Sequence, residues 1–273
     1  MIQTWQITPT ETRKLELDAS TLDEVTQRLP EGYYSTFRTF DGGTRVLGLS
    51  SHLQRLYKPV ATPEVDELFL RRQLSALLEP YRHGEARVRT IMTKEGQVYL
   101  SIAPLSLLPR EVYENGVRVE TTELQRKHPR LKSTSFIGRS DSERKHLAKE
   151  GIFEALLVKD GEILEGMTSN FFYVGKGDNV PYIGTARDGI LLGITRETIL
   201  DIGRGRGLMV KYQPLKLSQL EAIHEAFITS SSRGVVPVVQ VDEVTIGQGS
   251  PGPITKELLA AYEAHVLEIA EKI

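Results

Sequence analysis

Apolar and polar positions along the first part of the chain alternate between the period of strands and the period of helices. Five stretches with β-branched, aromatic or alternating apolar residues predict strands, and these stretches are 1–8, 13–17, 33–40, 87–92 and 97–103. Between them, leucines recur on one side of a helix that is predicted to open at Thr62-Pro63 and to run through Tyr81. Helices and short strands are therefore interspersed.

The stretch from Lys132 to Asn170 carries the clearest local signals. A polar helix is predicted over 140–150, and glycine at position 151 suits the left-handed residue that follows a helix. An apolar strand over 153–159 then meets an Asp-Gly pair at 160–161, which is a strong two-residue hairpin signal. The returning strand therefore brings Glu165 to the end of a β-hairpin.

Composition limits the classes of protein that the chain can be. It has 273 residues, of which 40% are hydrophobic and 26% charged, so it can bury the core of one large or two modest domains. A net charge of −2 gives no basic footprint for nucleic acid. No apolar run approaches a membrane span and the start, MIQTWQITPT, lacks the features of a signal peptide, so we expect a cytoplasmic protein.

Disulfide and metal chemistry are not expected. The sequence has no cysteine, which excludes disulfides, thiolate nucleophiles and thiolate metal ligands. Its six histidines are scattered without the spacing of metal ligands. The candidate chemistry therefore rests on lysine, arginine, carboxylate and hydroxyl side chains.

The segment 151–172, GIFEALLVKDGEILEGMTSNFF, follows Lys132 and holds Glu165 33 positions after that lysine. Taken alone, Lys132 reads as a solvated surface lysine and Glu165 as a rim carboxylate. Together they resemble the core signature of the fold-type IV, or class IV, pyridoxal-phosphate aminotransferases, a family with branched-chain and D-amino-acid aminotransferases, (R)-amine transaminases and aminodeoxychorismate lyase. The resemblance implies pyridoxal 5′-phosphate as cofactor, with Lys132 carrying the Schiff base and Glu165 binding the pyridine nitrogen.

A second part of the resemblance lies near the N-terminus. The family pattern Gly-aromatic-Glu-x-x-Arg followed by a His-x-x-Arg-Leu helix is matched here by Arg38 and by the block HLQRL at 52–56, whereas Leu-Pro-Glu at 29–31 departs from it. The match implies that Arg55 binds the cofactor phosphate and that Tyr34 forms a wall of the substrate pocket. Arginine suits phosphate because its planar fork binds two oxygens and stays charged. The alternative for Arg55 is an exposed helix arginine.

Two turns further along complete the predicted phosphate site. In DGILLGITR, residues Ile194 and Thr195 open a helix, where backbone N–H groups and the positive end of the helix dipole favour an anion. In TSSSRGVVPV, Ser231 aligns with the family hydroxyl that donates to the phosphate, and Ser232 lies next to it. The alternatives are an ordinary helix cap and a polar loop; a serine hydrolase fits less well because no Gly-x-Ser-x-Gly elbow is present.

Arginines 87 and 89 share one face of a predicted strand, because strand side chains repeat every second residue. Branched-chain enzymes have an arginine on the matching strand that helps to bind the substrate carboxylate, and the resemblance places Arg89 there. The alternative is a solvated strand face, since register is easily lost over so short a strand.

The resemblance also implies the architecture and the reaction. It implies an α/β (α+β) fold of the D-amino-acid aminotransferase type, with a small N-terminal α/β sandwich over 1–120, a connector over 121–131 and a larger C-terminal pseudo-barrel over 132–273. We expect a homodimer that moves an amino group between an amino acid, branched-chain L- or D-, and a 2-oxo acid.

Two other functions stay open. One is an aminodeoxychorismate lyase, although the Lys-x-x-Asn pattern of that lyase is replaced by Lys-Ser-Thr-Ser at 132–135. The tyrosine that follows the lysine in branched-chain enzymes is also missing, with Phe136 and Ile137 nearby. The other is a ligand-binding protein that has lost turnover, which would need neither Lys132 nor Glu165.

Overall fold

Seventeen strands and eight α-helices are found in the computed structural model of the chain, which describes residues 1–177 and 180–273. The strands are β1 Gln3–Ile7, β2 Thr12–Leu15, β3 Gly32–Phe40, β4 Arg45–Val46, β5 Ala86–Thr93, β6 Val98–Pro104, β7 Val117–Thr122, β8 Glu154–Lys159, β9 Glu162–Gly166, β10 Asn170–Lys176, β11 Pro181–Gly184, β12 Met209–Lys211, β13 Leu215–Lys216, β14 Glu225–Ser230, β15 Gly234–Val241, β16 Val244–Thr245 and β17 Glu271–Lys272. The helices are α1 Leu22–Gln27, α2 Leu49–Tyr57, α3 Glu67–Leu78, α4 Arg110–Asn115, α5 Ser135–Arg139, α6 Asp141–Glu150, α7 Ile194–Gly205 and α8 Pro253–Ile269, with 3-10 turns at Glu79–Tyr81 and Leu217–Ala222.

The chain forms two compact units that do not follow a single cut in the sequence. The first contains Met1–Ser106, Leu131–Arg139 and Val266–Ile273, and the second contains Leu107–Arg130 and Ser140–His265. This grouping differs from the division at 120 and 132, which stays a prediction about domains.

The first unit is built on a seven-stranded antiparallel sheet in the order β17-β4-β3-β5-β6-β1-β2. Helices α2 and α3 supply apolar side chains to its core because their leucines recur every three or four residues. Fully buried members of that core are Leu53, Leu56, Leu70, Leu74, Val88 and Leu100.

Helix α3 begins later than its sequence predicts. Asp66 is its N-cap, and the Asp66 Oδ1 atom accepts a hydrogen bond from the Phe69 backbone N–H at 2.7 Å. The preceding residues are held outside the helix, since Glu64 N–H donates to the carbonyl of Gly96 at 3.0 Å. The predicted start at Thr62-Pro63 is therefore wrong, because a turn more than 30 residues away binds this segment.

The second unit contains a larger sheet in the order β12-β11-β10-β14-β15-β7-β8-β9-β13, with β16 paired to β15. The predicted hairpin joins β8 and β9, and Asp160 and Gly161 have φ values of 52° and 76°, as a tight two-residue turn requires. Helix α6 ends as predicted at Gly151, which is left-handed with φ 66°. Glu165 lies within β9 opposite Leu157, one position before the strand ends.

The predicted mixed α/β class is confirmed. The short helices α4 and α5, which each have six residues or fewer, were not predicted from the sequence. Within residues 1–177 and 180–273, no helix is both long enough and apolar enough to cross a membrane.

Candidate active site

Backbone pairing fixes Lys132 beside strand β3. The Tyr34 N–H donates to the Lys132 carbonyl at 2.8 Å, and the Thr134 N–H donates to the Gly32 carbonyl at 2.9 Å. The Gly32 N–H in turn donates to the Thr134 hydroxyl at 3.0 Å. These bonds hold the half-buried lysine with its Nζ atom 5.0 Å from the centre of the Tyr34 ring. The first unit thus brings together the predicted Schiff-base lysine and the predicted pocket tyrosine.

Arg89 lies against the same tyrosine but binds helix α1. Its Cζ atom is 4.9 Å from the centre of the Tyr34 ring, and the residue is only 4% exposed. The guanidinium donates to four oxygens, which are Asp23 Oδ1 at 2.6 Å, the Leu22 carbonyl at 2.9 Å, Thr26 Oγ1 at 2.9 Å and Thr36 Oγ1 at 3.0 Å. In the structure its carboxylate partner is therefore Asp23. The predicted role of Arg89 at a substrate carboxylate stays a prediction.

His52 and Arg55 lie one turn apart on helix α2, and Arg55 is in its last turn. The His52 Nδ1 atom is 2.7 Å from the Ser35 hydroxyl, whereas its Nε2 atom is buried without a hydrogen-bond partner among the described residues. Burial lowers the pKa of His52 well below its usual 6.5, and the positive charges of Arg55 and Lys132 lower this pKa further. His52 is therefore neutral at pH 7, and sequence reasoning had given it no role.

In the second unit, Glu165 is 1% exposed and three hydrogen-bond donors surround its carboxylate. Arg126 Nε donates to Oε1 at 2.8 Å, while the Leu191 N–H and the Asn170 amide donate to Oε2 at 3.0 and 3.4 Å. These donors stabilise the ionised carboxylate. Arg126 could not be predicted from the sequence, because no local pattern links it to a glutamate 39 positions later.

The N-terminus of helix α7 carries the predicted phosphate turn. Its N-cap is Gly193, which has no side chain to occupy the first N–H groups of the helix at Ile194 and Thr195. The Thr195 hydroxyl is buried and has no partner among the described residues. A buried hydroxyl and backbone amides at the positive end of a helix suit a phosphate, which accepts several hydrogen bonds.

The turn between β14 and β15 carries the other predicted phosphate ligands. Ser231 and Ser232 follow the end of β14, and both are half-buried. Two positions before Ser231, the Thr229 hydroxyl is a further buried atom without a partner in the part of the chain that the structure describes. Sequence reasoning missed Thr229, although it belongs to the same hydroxyl-rich motif.

The predicted site residues divide between the two units. The first unit carries Tyr34, Arg55, Arg89 and Lys132, and the second carries Glu165, Ile194, Thr195, Ser231 and Ser232. Each set has groups that suit part of pyridoxal phosphate: the first unit carries an amine and an arginine, and the second carries a buried carboxylate and a helix N-terminus with hydroxyl groups. The residue roles themselves stay predictions.

Comparison with known proteins gives the family. A sequence model of the amino-transferase class IV family matches residues 32–241. The chain is 30% identical over 260 residues to a D-alanine aminotransferase of Bacillus licheniformis, covering 89% of this chain and 90% of that protein.

Solved structures of aminotransferases have the same fold. A putative branched-chain amino acid aminotransferase from Thermotoga maritima superposes with a TM-score of 0.80 at 25% identity, covering 97% of this chain and 96% of that one. The pyridoxal-phosphate-bound form of a hypothetical aminotransferase from Mycobacterium tuberculosis superposes with a TM-score of 0.76 at 21% identity, covering 97% and 99%. The predicted fold and enzyme class are confirmed, and this chain belongs to the class IV aminotransferase family.

Proposed function

We propose that this class IV aminotransferase moves an amino group between an amino acid and a 2-oxo acid, and that Lys132 is the lysine that binds the cofactor. The observation that carries the proposal is the family match over residues 32–241, which includes Lys132 and Glu165. The backbone bonds that hold Lys132 beside Tyr34 support it further.

The cofactor is pyridoxal 5′-phosphate. When bound, it supplies an aldehyde that an amine attacks and a pyridine ring that takes up electron density from the substrate Cα atom. Glu165 would accept a hydrogen bond from the ring nitrogen. Arg55, the Ser231 hydroxyl and the amides at 194–195 would bind the phosphate, with Ser232 beside them.

Lys132 has two tasks in the proposed reaction. Its Nζ atom must be neutral to attack a carbonyl carbon, and the positive charge of the bound cofactor ring would favour that neutral form. With a substrate amine bound in place of the lysine, the same atom would accept the proton that leaves the substrate Cα. The Tyr34 ring, whose centre is 5.0 Å from Nζ, would limit the directions from which a substrate side chain approaches.

Branched-chain L-amino acids or D-amino acids are the proposed donors. Relatives named for D-alanine and for branched-chain amino acids support an amino acid as donor. A homodimer is also part of the proposal, and light scattering of the purified protein tests it.

Absorbance spectroscopy tests the proposal. Protein loaded with pyridoxal phosphate should show an imine band, and borohydride should fix the cofactor on the peptide that contains Lys132, as mass spectrometry detects. A Lys132→Ala variant should lose the band and turnover. Lys127→Ala is the matched control, because Lys127 is exposed and only five positions away.

A donor panel then assigns the substrate. L-leucine, D-alanine, L-glutamate and (R)-1-phenylethylamine are added in turn, and the donor that converts the cofactor to its amine form identifies the substrate class. Borohydride labelling of a different lysine would refute the role of Lys132. Pyruvate release from aminodeoxychorismate without transamination of any donor would replace the proposed reaction by the lyase.

A further inference from the structure

The carboxylate of Glu165 is held by groups that come from three separate segments of the second unit. Arg126 belongs to the segment after β7, Asn170 opens β10, and Leu191 lies three positions before helix α7. These donors bind both oxygens of one side chain, and two of them, Arg126 and Leu191, lie 39 and 26 positions from Glu165. Such convergence defines the orientation of a carboxylate more tightly than a single contact does.

Arg126 binds more than the carboxylate. Its Nη2 atom donates to the Met167 carbonyl at 2.7 Å, while its Nε atom is 2.8 Å from Glu165 Oε1. The two side chains are only 7% and 2% exposed. Taking both charges out of water is costly, and a pair of apolar side chains often stabilises a fold equally well. A requirement for an ionised carboxylate at this position accounts for the pair.

The turn that leads from Glu165 to Asn170 is fixed from a second side. Glu154, 2% exposed, accepts hydrogen bonds from the Thr168 hydroxyl at 2.5 Å and the Ser169 hydroxyl at 3.2 Å. Arg233 also donates to Glu154, at 2.9 Å. The backbone around Glu165 therefore cannot follow a change in its side chain without breaking these bonds.

Asn170 connects the carboxylate to the predicted phosphate turn. Its Nδ2 atom donates to the Leu191 carbonyl at 2.8 Å and to Glu165 Oε2 at 3.4 Å. Its Oδ1 atom lies so close to Gly193 that a Cβ atom at that position would collide with it. Since Gly193 is the N-cap of α7, one amide side chain contacts both Glu165 and the segment that opens the helix.

We propose that Arg126 and Asn170 are positioning residues that hold Glu165 ionised and oriented toward the pyridine nitrogen, and that set its distance from the phosphate turn before the cofactor binds. The proposal rests on the proposed function, in which Glu165 accepts a hydrogen bond from that nitrogen. Arg126 supplies the charge, and Asn170 supplies the link to Gly193.

The test compares two ligands of the apo-protein. One is pyridoxal phosphate, and the other is its 1-deaza analogue, in which carbon replaces the ring nitrogen while the aldehyde and phosphate remain. The dissociation constant of the analogue divided by that of pyridoxal phosphate is the ratio to be measured. It isolates the contact at the nitrogen, because every other contact is shared. Circular dichroism of each variant checks folding.

Arg126→Met should reduce this ratio about tenfold or more, which is the range for losing a hydrogen bond to a charged group. Its affinity for the deaza analogue should change little. Arg126→Lys, which keeps the charge, should recover part of the ratio, and Asn170→Ala should reduce it and also weaken both ligands. Arg130→Met is the matched control, because Arg130 pairs at 3.0 Å with Asp188, and these side chains are 46% and 87% exposed.

Equal weakening of both ligands by Arg126→Met would overturn the proposal, since that is the result of a structural role alone. No effect on either ligand would overturn it as well. If Arg126→Met does not fold, Arg126→Lys and Asn170→Ala decide by the same ratio. Glu165→Gln tests the contact at the nitrogen separately from the positioning roles of Arg126 and Asn170. If that variant keeps the wild-type ratio, Glu165 does not bind the nitrogen, and its proposed role fails together with the positioning roles.

Discussion

Substitutions at Arg89 and Asp23 test whether the arginine predicted to bind substrate instead stabilises the fold. The side chains of the pair are 5% and 27% exposed and lie 2.6 Å apart. Exposed pairs contribute about 0–1 kcal/mol and breaking a fully buried pair costs about 3–5 kcal/mol. Because Asp23 is partly exposed, we expect a coupling energy between the two side chains of about 2 kcal/mol.

The assay is a double-mutant cycle on the apo-protein. Arg89→Met, Asp23→Asn and the double variant are unfolded with urea, and the free energy of unfolding is compared with that of the wild type. Arg89→Met should cost more than Asp23→Asn, because it also removes the hydrogen bonds that Arg89 donates to the Leu22 carbonyl and to the Thr36 hydroxyl.

A control and a refuting result are available. Glu67→Gln removes the i,i+4 pair between Glu67 and Arg71, in which the two side chains are 41% and 28% exposed. This change should lower the free energy of unfolding by only about 0.3–0.5 kcal/mol. Additive effects at Arg89 and Asp23, with a coupling energy below about 0.5 kcal/mol, would refute the reasoning. A rise in KM without loss of stability in Arg89→Met would instead favour the predicted substrate contact.

Two further predictions concern His52 and Gly193. Because the folded pKa of His52 is lowered, the unfolded chain binds a proton below pH 6.5 that the folded chain does not bind. The free energy of unfolding should therefore be highest above pH 6.5 and should fall below it by up to about 1.4 kcal/mol per pH unit. His52→Asn should remove this component, and parallel stability curves for wild type and variant between pH 6.5 and 5 would contradict it. Gly193→Ala should cost about 1–3 kcal/mol and weaken binding of pyridoxal phosphate, because its Cβ would displace Asn170. Gly205→Ala, in the same helix with open space around it, should stabilise by about 0.5–1 kcal/mol, so a similar loss in both variants would speak against the collision.

Elements with local signals could be predicted from the sequence. The hairpin at 160–161 and the end of helix α6 at Gly151 were both predicted, since each depends on a backbone conformation that glycine or aspartate adopts readily. The predicted start of α3 at Thr62-Pro63 was wrong, because the bond from Glu64 to the distant Gly96 turn holds these residues outside the helix, which begins after Asp66.

The candidate site likewise has residues that the sequence indicated and partners that it did not. The residue types and spacing of Lys132, Glu165 and the phosphate turns were sufficient to indicate the family, which the comparisons then confirmed. The partners of those residues were not visible. Arg126 is 39 positions from Glu165, and Asp23 is 66 positions from Arg89.

The sequence by itself therefore determined the mixed α/β class, the family and the candidate chemistry, because turn residues, hydrophobic periods and the motif are local properties. Only the tertiary structure decided that Arg126 faces Glu165, that Asp23 faces Arg89 and that His52 is buried with a neutral ring. The physical reason is that a charge inside a protein must find a partner or lose its charge, and folding brings that partner from a distant part of the chain.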